Sequence, residues 1–462
     1  MTVVFSNGLV LLSSVLSGFV IPALLGIVNY GYYKTFTLYI GYTALFHFGF
    51  VDGILLMYAG KDYSEINKRE FRVYTRFISI MQLVVGGIIF LFAIYNFSGI
   101  NRYIILMVGV ETIVNNLTAY YQYISQATMR FKELSIRRIL QAFIKIIVII
   151  ILIVMCKAGI LKEISAQLYI FSIVMVDFCL LVWYTFTYKE ITWGEKEKKS
   201  LYYEKILQYF KKGITLTISF QIGNLIFSID SQFVLMLFDT KVYGLYSFAY
   251  SIISMITVLI GSISFVLFPT LKKSGENTVI KYFSDSIALI SMLVFGAHMG
   301  YYILCWFVKG ILPEYYASMQ YLRLLFPGLS LSCCISIIIF TYYKVLNKNN
   351  VYFSLGCIVL CIAVILNLGA YSLFHSALAI SGASLLTLLF WFGLSEFYFV
   401  KNYNIKWKKN ILYIISMSFC FWGVAYASDD SVFGCIVYVI LYLVLTIMFN
   451  KEVLKKYIRK IG

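Results

Sequence analysis

Displacing the chain by 213 residues lays its first six long apolar stretches over its seventh to twelfth without a gap, and Tyr30-Gly31-Tyr32-Tyr33 falls on Tyr243-Gly244-Leu245-Tyr246. A register kept through so many segments marks two tandem copies of one six-helix unit. A helix needs roughly 20 apolar residues to cross about 30 Å of hydrocarbon, and such stretches recur here between short charged connections. With 61% hydrophobic and 13% charged residues, against about 25% charged in soluble domains, the chain cannot cover a water-facing surface. The pattern therefore predicts an all-α polytopic membrane protein with fourteen spans, at residues 4–28, 36–59, 74–97, 103–125, 139–156, 163–186, 214–238, 243–268, 286–308, 315–341, 351–373, 377–400, 411–427 and 432–449.

The implied organisation is an N-terminal lobe at 1–190, a linker at 191–213, a C-terminal lobe at 214–403, and residues 404–462 holding helices 13 and 14, which have no counterpart under the shift. Each lobe crosses the bilayer an even number of times, so both copies sit the same way up, as in transporters that rock two halves about a central site.

Basic residues set the orientation, because basic loops resist translocation. Of the 38 Lys and Arg, thirty fall on the even-numbered loops and the C-terminal tail and six on the opposite side; Lys145 and Arg323 fall inside spans. Both termini and the 191–213 linker are thus expected in the cytoplasm, in a multi-pass protein of the cytoplasmic membrane. The net charge of +17 reads as this topology signal with a secondary attraction to anionic headgroups, and not as nucleic-acid binding. Residues 1–7 carry no basic stretch and lead into a span too long for a signal-peptide core, so helix one is expected to remain uncleaved.

The remaining sequence excludes several classes of chemistry. The nine cysteines lie in or at the ends of spans and form no C-x-x-C, so they read as small packing residues with no metal or other cofactor. The three histidines, His47, His298 and His375, are scattered and compose no relay. No G-x-x-x-x-G-K-[ST] is present; residues 194–200 lack its spacing and a preceding strand. No external loop exceeds about a dozen residues, too few for a catalytic domain, and the chain is not expected to be an enzyme.

Ionisable residues inside spans are costly and mark functional positions or buried pairs. Helix four carries Glu111, Asn115, Thr118 and Gln122 on one face, and helix seven carries Thr217, Gln221, Asn224, Ser228 and Ser231, with Asp230 on a different face. Either stripe fits a hydrogen-bonded seam or a cavity wall. Arg323 in helix ten sits one residue from the position that the shift assigns to Glu111, and its planar fork of donors suits a diphosphate. These considerations nominate Arg323, Gln221, Asn224, Ser228, Glu111 and Asn115 as substrate-cavity residues, and Asp230, Glu111 and Asp52 as sites for a coupling ion. Lys145 and Asp177, on neighbouring helices at depths differing by about 5 Å, are expected to form a structural ion pair.

The chain resembles the polysaccharide biosynthesis flippases, the O-antigen or capsule repeat-unit transporters of the multidrug, oligosaccharidyl-lipid and polysaccharide exporter superfamily. The residues carrying the resemblance are Asn7 and Pro22, then Tyr30-Gly31-Tyr32-Tyr33 and Phe48-Gly49-Phe50. The second lobe adds Ile229-Asp230, Tyr243-Gly244-Leu245-Tyr246-Ser247-Phe248-Ala249, Phe268-Pro269, Tyr315-Tyr316-Ala317, Asn367 and Ile380-Ser381-Gly382-Ala383. The resemblance implies a V-shaped pair of bundles working by alternating access on an oligosaccharide linked through diphosphate to undecaprenol. It implies membrane lipids, a polysaccharide polymerase and glycosyltransferases as further partners, and a groove for the polyprenyl tail formed by helices 13 and 14. Similar lipid II flippases carry several basic residues in the cavity, whereas Arg323 is the only arginine deep in a span here. The alternative is a multidrug and toxin extrusion type, cation-coupled exporter, which the two extra helices oppose.

Overall fold

The computed structural model describes the backbone of residues 2–195, 202–273, 276–403, 405, 408–428 and 432–461, and within these the side chains other than 2–17, 258, 259, 261–278, 408 and 457–461. Among the described residues all regular structure is helical. The chain divides into two compact units, 1–225 and 226–462.

The first unit runs through α1 (Thr2–Ile40), a 3-10 turn at Thr43–His47, α2 (Phe50–Tyr58), α3 (Lys68–Asn96), α4 (Gly99–Ala127), α5 (Phe131–Lys157), α6 (Ala166–Thr187), the single turn α7 (Lys189–Thr192) and the first half of α8 (Tyr203–Leu237). The second holds the rest of α8, then α9 (Thr240–Lys273), α10 (Glu276–Ala297), α11 (Gly300–Ile311), a 3-10 turn at Pro313–Ser318, and the short helices α12 (Met319–Leu325) and α13 (Gly328–Cys333). A π-helical turn at Cys334–Ile339, α14 (Phe340–Val345), α15 (Asn349–Phe374), α16 (Ala377–Tyr403), α17 (Lys408–Ala427) and α18 (Val432–Ile461) complete it.

The 213-residue shift carries over to these elements: α6 falls on α16 and α5 on α15. Gly26, with φ 66° and ψ 169°, breaks α1 where the shift places the gap between α8 and α9. That backbone conformation belongs to glycine, so the break is written at a single residue.

Eleven helices among the described residues are long and apolar enough to cross a membrane, and a twelfth if the pair 18–47 and 50–58, bent by 61°, counts as one span. The junction of the first two expected spans and the continuity of the tenth differ, and the eighth lies largely outside the described side chains. No loop interrupts residues 29–35: the chain breaks at Gly26 and again at 41–49, so Tyr30-Gly31-Tyr32-Tyr33 is helical and the second span is itself bent. The expected span 243–268 lies in α9, where side chains 258, 259 and 261–268 are outside the described residues. The expected span 315–341 is a chain of short helices, because Pro327 has no N–H to continue the ladder from α12 into α13. Of the resemblance-bearing residues, the side chains of Asn7, Phe268 and Pro269 also lie outside the described set, as do residues 196–201 of the linker.

The boundary between units falls inside α8 and not in the 191–213 linker. The cause is a glycine-mediated contact: a Cβ on Gly213 would lie 1.8 Å from the Gly49 carbonyl oxygen, and one on Gly53 would lie 2.1 Å from that of Tyr209. With no side chains between them, α2 and the start of α8 touch backbone to backbone. Thr217 adds a hydrogen bond to the Asp52 carboxylate, fixing the first four turns of α8 to the first unit.

Candidate functional site: a polar cavity within the first unit

The helical spacing of α4 puts Glu111, Asn115, Thr118 and Gln122 on one side, and that side opens onto two adjoining cavities. One, of about 330 Å³, is bounded by Glu111, Asn115, Gln141, Lys145, Asp177 and Tyr33 among others. The second, about 210 Å³, shares Asn115, Gln141 and Asp177 with it and extends to Thr118 and Gln122. α5 contributes Gln141 and Lys145 one turn apart, and α6 contributes Asp177.

Asp177 is the organised member of this group. Lys145 Nζ lies 3.0 Å from its Oδ1 and donates to Oδ2 at 3.1 Å, and the Gln141 amide donates to Oδ1 at 2.7 Å. The Lys145 side chain keeps 31% exposure, so the pair is partly solvated and worth less than a fully buried one.

Glu111 differs. Its residue is 1% exposed, neither carboxylate oxygen accepts from a donor, and the carboxyl is set against the Asp177 carboxylate and the Lys145 ammonium. A buried carboxylate without donors is costly, and this one faces a cavity already holding the Asp177 carboxylate. It supplies two unclaimed acceptor atoms.

Asn116, which with Thr43 also borders the second cavity, begins a hydrogen-bonded seam. Asn116 Nδ2 donates to Gln82 Oε1 at 2.8 Å and to the Thr43 carbonyl at 3.1 Å, and Gln82 Nε2 donates to the Phe46 carbonyl at 2.9 Å. These amides tie α3 and α4 to the 3-10 turn below the α2 bend. Asp52, in α2, accepts from Thr217 and lies 3.8 Å from His47 Nε2, while His47 Nδ1 accepts from the Gly49 amide.

On α8, Gln221 is buried and accepts from the Asn224 amide at 3.2 Å, Asn224 itself is exposed, and Ser228 is half-buried. Asp230, in the second unit, is 1% exposed and fully engaged: it accepts from the hydroxyls of Tyr246 at 2.7 Å, Ser384 at 2.5 Å and Tyr250, and from the Ser231 amide at 2.7 Å. Arg323 turns toward α11 and α17. Its Nε donates to the Tyr301 hydroxyl at 3.0 Å, its guanidinium lies 4.9 Å from the centre of the Tyr426 ring, and its carbonyl accepts from Trp422.

Sequence reasoning passed over Gln82, Asn116 and Gln141, whose uncharged amides stand out little in an apolar run, and Glu396. The last lies four residues from the expected end of its span but is 2% exposed, beside the π-helical turn. Among the described residues no group of three or more His, Cys, Asp or Glu is arranged to hold a metal. The cysteines are free, and His298 packs between Phe295, Phe326 and Phe421.

A polytopic helical bundle enclosing a polar cavity is the construction of a membrane transporter. The chain belongs to the polysaccharide biosynthesis protein family, whose model matches residues 1–275. Its fold is similar to that of a lipid II flippase, MurJ, in an inward closed conformation, with TM-score 0.70 and 13% identity over 98% of each chain. It is also similar to an outward-facing multidrug resistance MATE family transporter of the MOP superfamily, with TM-score 0.50 and 11% identity over 90% of this chain and 94% of that one. At these identities the likeness is one of fold. No curated protein matches the chain.

Proposed function

We propose that the protein moves undecaprenyl-diphosphate-linked oligosaccharide repeat units across the cytoplasmic membrane by alternating access, with both termini in the cytoplasm, to supply polysaccharide assembly. The observation that carries this reading is the fold shared with a lipid II flippase over nearly the whole chain, α17 and α18 included, in a member of a polysaccharide biosynthesis family.

The physical task is to take a diphosphate and several sugars through hydrocarbon, where unassisted transfer of even one charge costs many kcal/mol. A polar path lowers that cost; we assign Asn115, Gln221 and Asn224 to it in the first unit and Ser228 in the second, whereas Arg323 is engaged by Tyr301 and Tyr426 and is not assigned to it. Glu111 we assign to coupling. Its buried carboxyl, which accepts from no donor and stands against Asp177, offers a place for a proton or small cation, and occupancy would change the charge facing Asp177 and Lys145. Asp230 and Asp52 are secondary coupling positions, each already held by hydroxyl donors. The membrane potential contributes about 2.3 kcal/mol per charge per 100 mV.

The test is removal of the protein from cells. Lipid-linked repeat units should accumulate on the cytoplasmic leaflet while surface polysaccharide is lost and drug sensitivity stays unchanged. Normal surface polysaccharide, together with a rise in drug sensitivity, would transfer the protein to the multidrug class.

A further inference from the structure

At one end of the second unit a cavity of about 980 Å³ opens between the start of α10, the end of α16, the start of α17 and the end of α18. It is distant in sequence and element from the polar cavity of the first unit and takes no part in the function proposed above. We infer that it binds the phosphate headgroup of an anionic membrane lipid.

The donors converge from separate elements. Lys281 on α10 and Lys409 on α17 stand exposed at the walls. Asn450 is 3% exposed, lines the cavity, and its Nδ2 has no acceptor. It also sits at the point where α18 departs from helical geometry, with φ −121° and ψ 17°, which puts the kink at the pocket. An amide donor buried in that way is costly unless something accepts from it. α17 starts at the same place, and the first turn of a helix leaves backbone N–H groups without intrahelical partners, suited to an anion.

Two of the other polar lining groups are engaged within the protein. The Asn410 amide is spent on the carbonyl and hydroxyl of Ser284, both at 3.0 Å, and Asp285 is neutralised by Lys456. Glu452 is exposed at the α18 wall and is the one lining carboxylate, among the described residues, with no ion pair.

A lipid fits better than free phosphate because of what adjoins the pocket. Ile440, Val444 and Met448, successive turns of α18, are exposed by 56%, 56% and 65%, an apolar stripe ending one turn before Glu452. An acyl chain laid along it would bring its headgroup to the pocket mouth. Lys401 near the end of α16 and Lys451 and Lys455 on α18 belong to the elements that bound the pocket.

The experiment uses the full chain in detergent, native mass spectrometry to count retained lipid, and dioleoylphosphatidylglycerol as probe against dioleoylphosphatidylcholine. Wild type should retain the anionic lipid selectively. Lys281→Gln with Lys409→Gln should weaken retention about thirtyfold, and Asn450→Asp, which keeps side-chain size and adds negative charge, should also weaken it. Lys132→Gln with Arg138→Gln, exposed basic residues of the first unit, should leave it unchanged. Equal retention by wild type and the Lys281/Lys409 variant, or equal retention of both lipids, would overturn the site. Displacement of the lipid by an equal concentration of sodium phosphate would overturn its assignment to a lipid.

Discussion

Replacing Glu111 by Gln should make the protein more stable and less able to couple transport. The carboxylate is 1% exposed, neither oxygen accepts a hydrogen bond, and the Asp177 carboxylate lines the same cavity. Leaving a buried polar group unsatisfied costs about 1–3 kcal/mol, more when it is charged. Glutamine has nearly the same volume, carries no charge, and brings two N–H donors to face acceptors already present at Asp177. The expected gain is therefore about 1–3 kcal/mol, read as a higher midpoint of thermal unfolding in detergent or nanodiscs. Glycan export by the same variant should fall and lose its dependence on external pH. Such opposition of stability and activity is what a functional site under strain produces. A variant destabilised by more than about 1 kcal/mol would refute the reasoning, since it would mean that the carboxylate makes a native interaction that the amide cannot replace. Export of unchanged rate and pH dependence would remove Glu111 from coupling.

Lys145→Met should cost about 1–2 kcal/mol, a buried-pair penalty reduced for the 31% exposure of the lysine side chain, and Asp177→Leu in the same chain should restore part of it; a double-mutant cycle by thermal unfolding reads the coupling, and additive effects would deny the pair. Gly213→Ala should cost at least about 3 kcal/mol, because its Cβ would meet the Gly49 carbonyl at 1.8 Å and backbone on both sides cannot yield. Gly369→Ala, with open space around its Cβ, should be stabilising by about 0.5–1 kcal/mol in the same assay. Asp230→Asn should lower stability, since the amide loses acceptor capacity toward Tyr246, Tyr250 and Ser384, and unfolding of the variant at the wild-type midpoint would contradict the hydroxyl cage.

The class of fold was legible because it rests on quantities that a sequence carries directly, apolar length and a repeat that runs through the first twelve segments. The correspondence even extends to the gap that Gly26 shares with the α8–α9 junction. The polar stripe of α4 was legible from its helical spacing, but that spacing fits a seam as well as a cavity wall, and the choice between them depends on neighbouring helices. Depth could be counted for Lys145 and Asp177, since rise per residue is fixed. What escaped depended on three-dimensional neighbours. The connection expected at 29–35 is helical because the break needed one glycine and not a polar loop. Asn116 and Gln82 belong to a seam that only the approach of α3 to α4 reveals. Arg323 illustrates the same limit: its position in the chain fixes its depth, whereas Tyr301 and Tyr426, from α11 and α17, decide where the guanidinium turns.

Reconstitution tests the central claim most directly. Purified protein is placed in liposomes carrying a labelled oligosaccharide on undecaprenyl diphosphate, and the fraction of label open to an added glycosidase is followed in time. Protein-containing vesicles should expose nearly all of the label, protein-free vesicles about the outer-leaflet half, and Glu111→Gln vesicles an intermediate course. Equal, unchanging fractions with and without the protein would contradict the account.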